Sequence, residues 1–145
     1  MNITSPAFAD NQPIPARYSC KGDNTSPPLA IAGVPPAAKS LALIMHDPDA
    51  PSGDYVHWVV WNMLPSTTEI APNSLPTSAE QGPNTSGRNS YMGPCPPSGT
   101  HRYIFELYAL SEKLQLAPST GREQLVAAMD GRILAKATLT GLFSH

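Results

Sequence analysis

Seventeen prolines are spread through the 145 residues of this chain, and they fall between apolar runs instead of gathering in one tract. Each proline removes a backbone donor and breaks a helix that tries to run through it, so long helical bundles are excluded. Prolines placed this way punctuate short strands. Adding the 10 glycines keeps the total below the ~25–30% that marks low-complexity chain, so an ordered, strand-rich domain spanning 1–145 is expected.

The segments between the prolines support this. Ser40–His46 (SLALIMH) is apolar and stops at Asp47-Pro48. Tyr55–Leu64 (YVHWVVWNML) is rich in β-branched and aromatic residues, and strict alternation puts His57, Val59 and Trp61 on one face and Val56, Trp58 and Val60 on the other. His101–Leu110 (HRYIFELYAL) alternates in the same way, which aims His101, Tyr103, Phe105 and Leu107 together and Arg102, Ile104, Glu106 and Tyr108 oppositely. RILAKATLTGLF, near the C-terminus, suits strand or helix. One helix is expected in STGREQLVAAMDG, with Thr120 and Glu123 as a capping box, Leu125 and Met129 on one face and Gly131 as its stop. The expected fold class is mainly β: a sandwich of antiparallel strands with a few short helices.

Charge narrows the function. Nine Lys and Arg against 11 Asp and Glu leave a net charge of −2, and the cations are scattered singly. No basic stripe exists to neutralise a phosphate backbone, so nucleic acid is not an expected partner. No apolar run approaches the roughly 20 residues of a membrane span, and the N-terminus lacks a cationic start followed by an apolar stretch. A cytoplasmic location without membrane insertion is therefore expected. Cys20 and Cys95 lack the paired spacing of a zinc site, and are free thiols or a single bridge.

Two stretches carry the chemistry. In HDPDAPSGDYVHW, from His46 to Trp58, the carboxylates of Asp47 and Asp49 sit in a turn stiffened by Pro48 and Pro51, and His57 opens the next strand. In GPCPPSGTHRY, from Gly93 to Tyr103, prolines and glycines run directly into His101 and Tyr103. One interpretation is structural: Asx turns at Asp47 and Asp49, and a hydrogen-bonded core histidine. A metal site is weaker, because HDPD has no recognised ligand spacing. The third is a small-anion pocket, in which histidine, tyrosine and the backbone amides of the glycine-rich loop donate to an oxyanion. Covalent catalysis by Cys95 near His101, or by Ser52 near His57 and Asp47, lacks an activating helix terminus or a nucleophile elbow. No metal or cofactor is expected.

Taken together, DPDAP, the following HW, and GPCPPSGTHRY running into IFELYAL resemble the phosphatidylethanolamine-binding protein family, also called the Raf kinase inhibitor family, in its bacterial branch. IPARYSCKGDNTSPPLAIAGVP and LVAAMDGRILAKATLTGLF extend the resemblance over nearly the whole chain. It implies two antiparallel sheets with Greek-key connections and an anion pocket at one end. Carried over position by position, that pocket comprises Asp47, His57, Gly93, Cys95, Pro96, His101 and Tyr103, with Asp49 beside it. The resemblance further implies a non-catalytic protein that binds a small anion or a phosphorylated ligand. Its partner is a protein kinase or protease that it inhibits or regulates, and a homodimer is a weaker expectation.

Three departures and one alternative accompany it. The extended C-terminal segment of animal members is missing, which counts against an animal-type lipid or kinase role. His46 precedes DPDAP where bacterial members usually carry an acidic residue, an exchange expected to make the pocket rim less negative. The cysteines match positions common in the bacterial branch, and in a cytoplasmic chain they are expected to remain free thiols. The alternative function is a hydrolase or lyase using His57 and His101 as acid and base around Asp47.

Overall fold

The computed structural model describes residues Met1–His145. Its centre is a strand with no solvent-facing side. β4 (Ser40–Asp47) is buried at every position, with Leu41, Leu43 and Met45 entering one core and Ala42 and Ile44 another. Such a strand must be covered on both faces, and three layers do this.

The middle layer is a six-stranded sheet. β5 (Tyr55–Met63) and β8 (Thr100–Leu110) flank β4, β7 (Glu80–Gly82) borders β5, and β9 (Ile133–Ser144) lies along β8 with β2 (Gln12–Pro13) beyond it. The run β8-β4-β5-β7 has the Greek-key order, in which a late strand returns beside the first of three. Pairing is antiparallel except for the two-residue β2, which runs parallel to β9. The second layer is a small antiparallel sheet of β1 (Asn2–Thr4), β3 (Leu29–Ala32) and β6 (Glu69–Ile70). Ile3, Leu29, Ile31 and Ile70 from it join Leu43, Met45, Phe105 and Leu107 in the main core.

The opposite face of the large sheet is covered by α1 (Arg122–Met129), whose Leu125 and Met129 pack with Ile44, Val59 and Trp61. The helix begins one residue later than its sequence signature: Gly121 is the capping residue, and its N–H is accepted by Gln124 Oε1 at 3.1 Å, while Thr120 is buried without a capping role. The undecided C-terminal segment is strand from Ile133 onward, with Arg132 in the preceding turn, because eleven residues of β8 offer it a partner.

The strict alternation expected for β5 fails twice, each time at an irregularity in its pairing with β4. Met45 pairs Trp58 but His46 pairs Val56, so His57 is an extra residue in the ladder. Val56 consequently packs toward the helix side, and the next side chain to reach that face is Val59. His57 thus shares the sandwich-interior face with Trp58 and Val60, not the Val59 and Trp61 face that periodicity assigned it. The second irregularity lies at Asn62, which adopts a φ of 57° and returns Met63 to the main core.

Candidate functional site

At one end of the main core, where β4, β5 and β8 stop contributing aliphatic side chains, a cavity of about 410 Å³ opens. Asp47 is the last residue of β4, His57 is aimed inward by the bulge in β5, and His101 and Tyr103 are the first inward-facing residues of β8. The rest of the lining comes from Ala50, Pro51 and Tyr55 and from Met92, Gly93, Cys95, Pro96 and Pro97. Of the eight residues nominated from sequence, seven line this cavity: Asp47, His57, Gly93, Cys95, Pro96, His101 and Tyr103.

Asp49 does not. It accepts from the Arg102 N–H at 2.9 Å, from Nε at 3.0 Å and from the second guanidinium nitrogen at 2.8 Å, which ties the β4–β5 turn to β8 from outside. The Arg102 guanidinium holds the Asp49 carboxyl at about 2. Its backbone N–H in turn donates to Asp47 Oδ1 at 2.8 Å, the Asx turn foreseen in the proline-stiffened segment.

Asp47 is the pivot of the interior. Its Oδ2 accepts from His101 Nδ1 at 2.7 Å, and both groups are buried. His57 Nδ1 donates to the Met92 carbonyl at 2.5 Å, since a carbonyl only accepts. Burial pushes the His57 imidazole below its ordinary value, although the Met92 carbonyl and the Asp47 charge work the other way. The His57 and Tyr103 rings meet edge to face at 5.3 Å. Tyr103 is fully buried, and its hydroxyl has no hydrogen-bond partner of acceptable geometry. Burial first and the nearby Asp47 carboxylate second raise its phenol, partly offset by the Cys95 backbone.

The glycine–proline loop owes its composition to packing. A Cβ at Gly93 would collide with the Tyr18 carbonyl and Asn24 Oδ1, and the Gly93 N–H donates to that Asn24 oxygen at 2.8 Å. Cys20 N–H donates to the Pro94 carbonyl at 3.1 Å and Tyr91 Oη to the Tyr18 carbonyl at 2.6 Å. Across this seam Cys20 and Cys95 form a disulfide, with Cα atoms 5.5 Å apart. This corrects the expectation of free thiols, which rested on an assumed compartment and not on the distance between the two cysteines. Tertiary packing of residues 18–24 against 91–95 brings them within bonding range.

Two further expectations change. Cys95, weighed as a nucleophile, is committed to the disulfide, and Ser52 is exposed outside the cavity lining. His46, expected to lower the negative charge of the rim, points away from the cavity and meets Asp54 and Glu106 on the helix side of the sheet. Sequence reasoning missed Tyr55 and Met92; Tyr55 lies two residues before His57 and was recoverable from period-two spacing.

Comparison with known proteins bears on the family and the fold. The family model described as phosphatidylethanolamine-binding protein matches residues 4–144. A UPF0098 protein of Methanothermobacter thermautotrophicus is 50% identical over 148 residues, spanning 99% of this chain and 98% of its own. A crystal structure of a phosphatidylethanolamine-binding protein homologue from Chlamydia trachomatis superposes with a TM-score of 0.96 at 44% identity, covering 99% of this chain and 97% of the other. Escherichia coli YbcL, described as a member of the mammalian family, gives 0.92 at 29% identity over 99% of this chain and 98% of its own.

Proposed function

Because the chain belongs to the phosphatidylethanolamine-binding protein family, we propose that the cavity framed by Asp47, His57, His101 and Tyr103 binds a small oxyanion, a phosphate or phosphomonoester group, without chemically transforming it. The observation that carries this reading is the Tyr103 hydroxyl: fully buried, near the Asp47 carboxylate and the Cys95 backbone but in well-formed hydrogen-bond geometry with neither, and set among two imidazoles already oriented by Asp47 and Met92. A buried hydroxyl left without a partner is costly, and a ligand oxygen would satisfy it. The oriented rings and the disulfide-tied wall reduce the ordering that binding would otherwise require.

The regulatory half of the proposal, inhibition of a protein kinase or protease, rests on the family resemblance, with the pocket as its phosphate-recognising element. Calorimetric titration of inorganic phosphate and O-phosphoethanolamine into the wild type and His101→Ala tests the binding half. Loss of one hydrogen bond to a charged ligand, about 1.5–3 kcal/mol, should weaken affinity by roughly tenfold or more. Equal affinity in both proteins would remove the assignment.

A further inference from the structure

The cavity that should receive an anion has few donors. Neither Lys nor Arg lines it, and it contains the Asp47 carboxylate. The rim supplies little compensation: Pro94, Pro96 and Pro97 have no N–H, the Met92 N–H is taken by the His57 carbonyl, and the Gly93 N–H by Asn24. Of residues 92–97 only Cys95 retains an N–H outside the regular hydrogen bonds, and that N–H acts on the Tyr103 hydroxyl. The glycine-rich loop is therefore no amide nest of the kind that cradles phosphate.

The two imidazoles are equally constrained. His57 Nδ1 faces a carbonyl and His101 Nδ1 faces a carboxylate, so both rings carry their first proton on Nδ1. Nε2 of each has no protein partner and is left to the cavity; in a neutral ring it is a bare acceptor. The site offers two phenols, of which Tyr55 already directs its hydroxyl to the Met92 sulfur at 3.3 Å, and two acceptor nitrogens beside a negative charge. A fully deprotonated dianion would meet lone pairs and a carboxylate.

Resting on the oxyanion reading of this cavity, we propose that the ligand is taken up together with a proton, so that the site prefers a phosphomonoester or phosphate monoanion to a permanently dianionic ion such as sulfate. The proton bridges an Nε2 and a ligand oxygen. Written on the ligand it is a P–OH donating to imidazole; written on the ring it is an imidazolium donating to a dianion, and the two have the same composition. When the free ligand is a dianion, the proton comes from solvent.

The groups that bear on the two rings are consistent with this balance. Asp47, Tyr55 and Tyr103 line the cavity with them, and the Asp49 carboxylate is neutralised by Arg102 outside. His46 and Asp54 act on His57 through the sheet in opposite senses. His145 approaches the mouth through the Pro96 carbonyl, with Nδ1 at 3.2 Å. None of these is a Lys or Arg directed at the ligand, so the extra positive charge must arrive as a proton.

Titration calorimetry on the oxidised wild-type protein near pH 8, in two buffers of different ionisation enthalpy, tests this directly. A phosphomonoester has its second pKa near ~6 and is mostly dianionic there. With methyl phosphate the expected result is uptake of about one proton per ligand bound, and an affinity falling about tenfold per pH unit above that pKa. Sulfate, which can take only the imidazolium form of the bridge and is far too weak a base to share the proton, should bind at least about tenfold more weakly at the same pH. A ligand-free check is the ¹⁵N spectrum of the imidazoles, expected to show His57 and His101 as Nδ1–H tautomers. Binding of methyl phosphate with identical heats in both buffers, sulfate binding as tightly, or an Nε2–H tautomer at either ring would overturn the proton-coupled mode while leaving the pocket standing. Absence of methyl phosphate binding near both pH 6 and pH 8 would overturn the oxyanion reading, and this inference with it.

Discussion

His46 and Asp47 are neighbours on one strand, yet they belong to two opposite kinds of polar site. On the helix side of the sheet, His46 Nδ1 is 2.7 Å from Asp54 and Nε2 is 3.3 Å from Glu106. Both acids also have cations: Arg122 lies 2.6 Å from Asp54, and Lys136 lies 2.9 Å from Glu106. On the other side, the Asp47–His101 pair and His57 have no Lys or Arg among the residues lining their cavity, and a tyrosine hydroxyl goes unpaired. Alternation along a strand sends adjacent residues to opposite faces, and what each face supplies decides the role. On the helix side each charge faces an opposite one and serves the fold, even though His46 Nε2 meets Glu106 without hydrogen-bond geometry; on the pocket side no Lys or Arg answers Asp47, and a ligand has something to do.

Proton affinities follow the same division. Burial works to lower the His46 imidazole, but the two carboxylates outweigh it and raise it above its ordinary value. Glu106 is held at about 2, first by His46 and then, against the opposing effect of burial, by Lys136. His57, with a carbonyl partner and no carboxylate hydrogen-bonded to it, goes the other way under burial.

The largest effect on the pocket side should come from its wall. Replacing Cys20 and Cys95 by Ser together, or reducing the bond, should cost about 2–4 kcal/mol in denaturant unfolding, because the crosslink closes a 75-residue separation. Phosphate affinity should fall with it if the wall is what holds Cys95 and Pro96 in place. Unchanged stability would show that the hydrogen bonds of the 18–24 seam suffice alone.

On the helix side, His46→Ala should destabilise by about 1–3 kcal/mol, since it deprives two carboxylates of a buried partner while their cations remain. Phosphate affinity should stay within about twofold, the reverse of the His101 variant. The wild type's advantage over His46→Ala has a defined pH window. His46, raised above 6.5, contributes fully below 6.5, and its contribution is lost as pH climbs through the raised value. Glu106, lowered from 4.5, contributes fully above 4.5 and loses its contribution as pH falls toward about 2. Melting both proteins across this range should therefore show the widest gap between about pH 4.5 and 6.5, narrowing on either side. A gap that widens steadily above pH 7 would contradict the ionic account.

The smallest effect should be at Arg102→Ala. Its side chain is 55% exposed, so the ion pair with Asp49 is screened by solvent and should contribute little despite its two-pronged geometry. A shift in melting temperature of no more than about 4 °C is expected. A larger loss would mean that the β4–β5 turn depends on this pair, bringing Asp49 closer to the pocket's function than its position outside the cavity indicates.

Much of the fold was legible along the chain. The proline spacing, the apolar run at Ser40–His46 and the alternation in His101–Leu110 led to the buried strands of a mainly β sandwich. Seven of the eight nominated residues line one cavity, largely because DPDAP and GPCPPSGTHRY carry a family pattern dense enough to transfer residue by residue. Where periodicity worked unaided, as for His101 and Tyr103, it did so because β8 runs regularly over that stretch: its one irregularity lies at Ala109–Leu110.

Sequence by itself determined the residue chemistry, the strand-rich class and the face shared by His101 and Tyr103, because these depend on local backbone preference and period-two geometry. Tertiary structure alone decided the rest. The bulge that turns His57 inward arises from pairing with β4, the disulfide from residues 18–24 packing against 91–95, and Gly93 is needed for clearance from Tyr18 and Asn24. Apart from Asp54, eight residues on, the partners that separate His46 from Asp47 come from β8, β9 and α1, tens of residues away. Contacts between segments distant along the chain depend on register and closure, and no short stretch of sequence contains them.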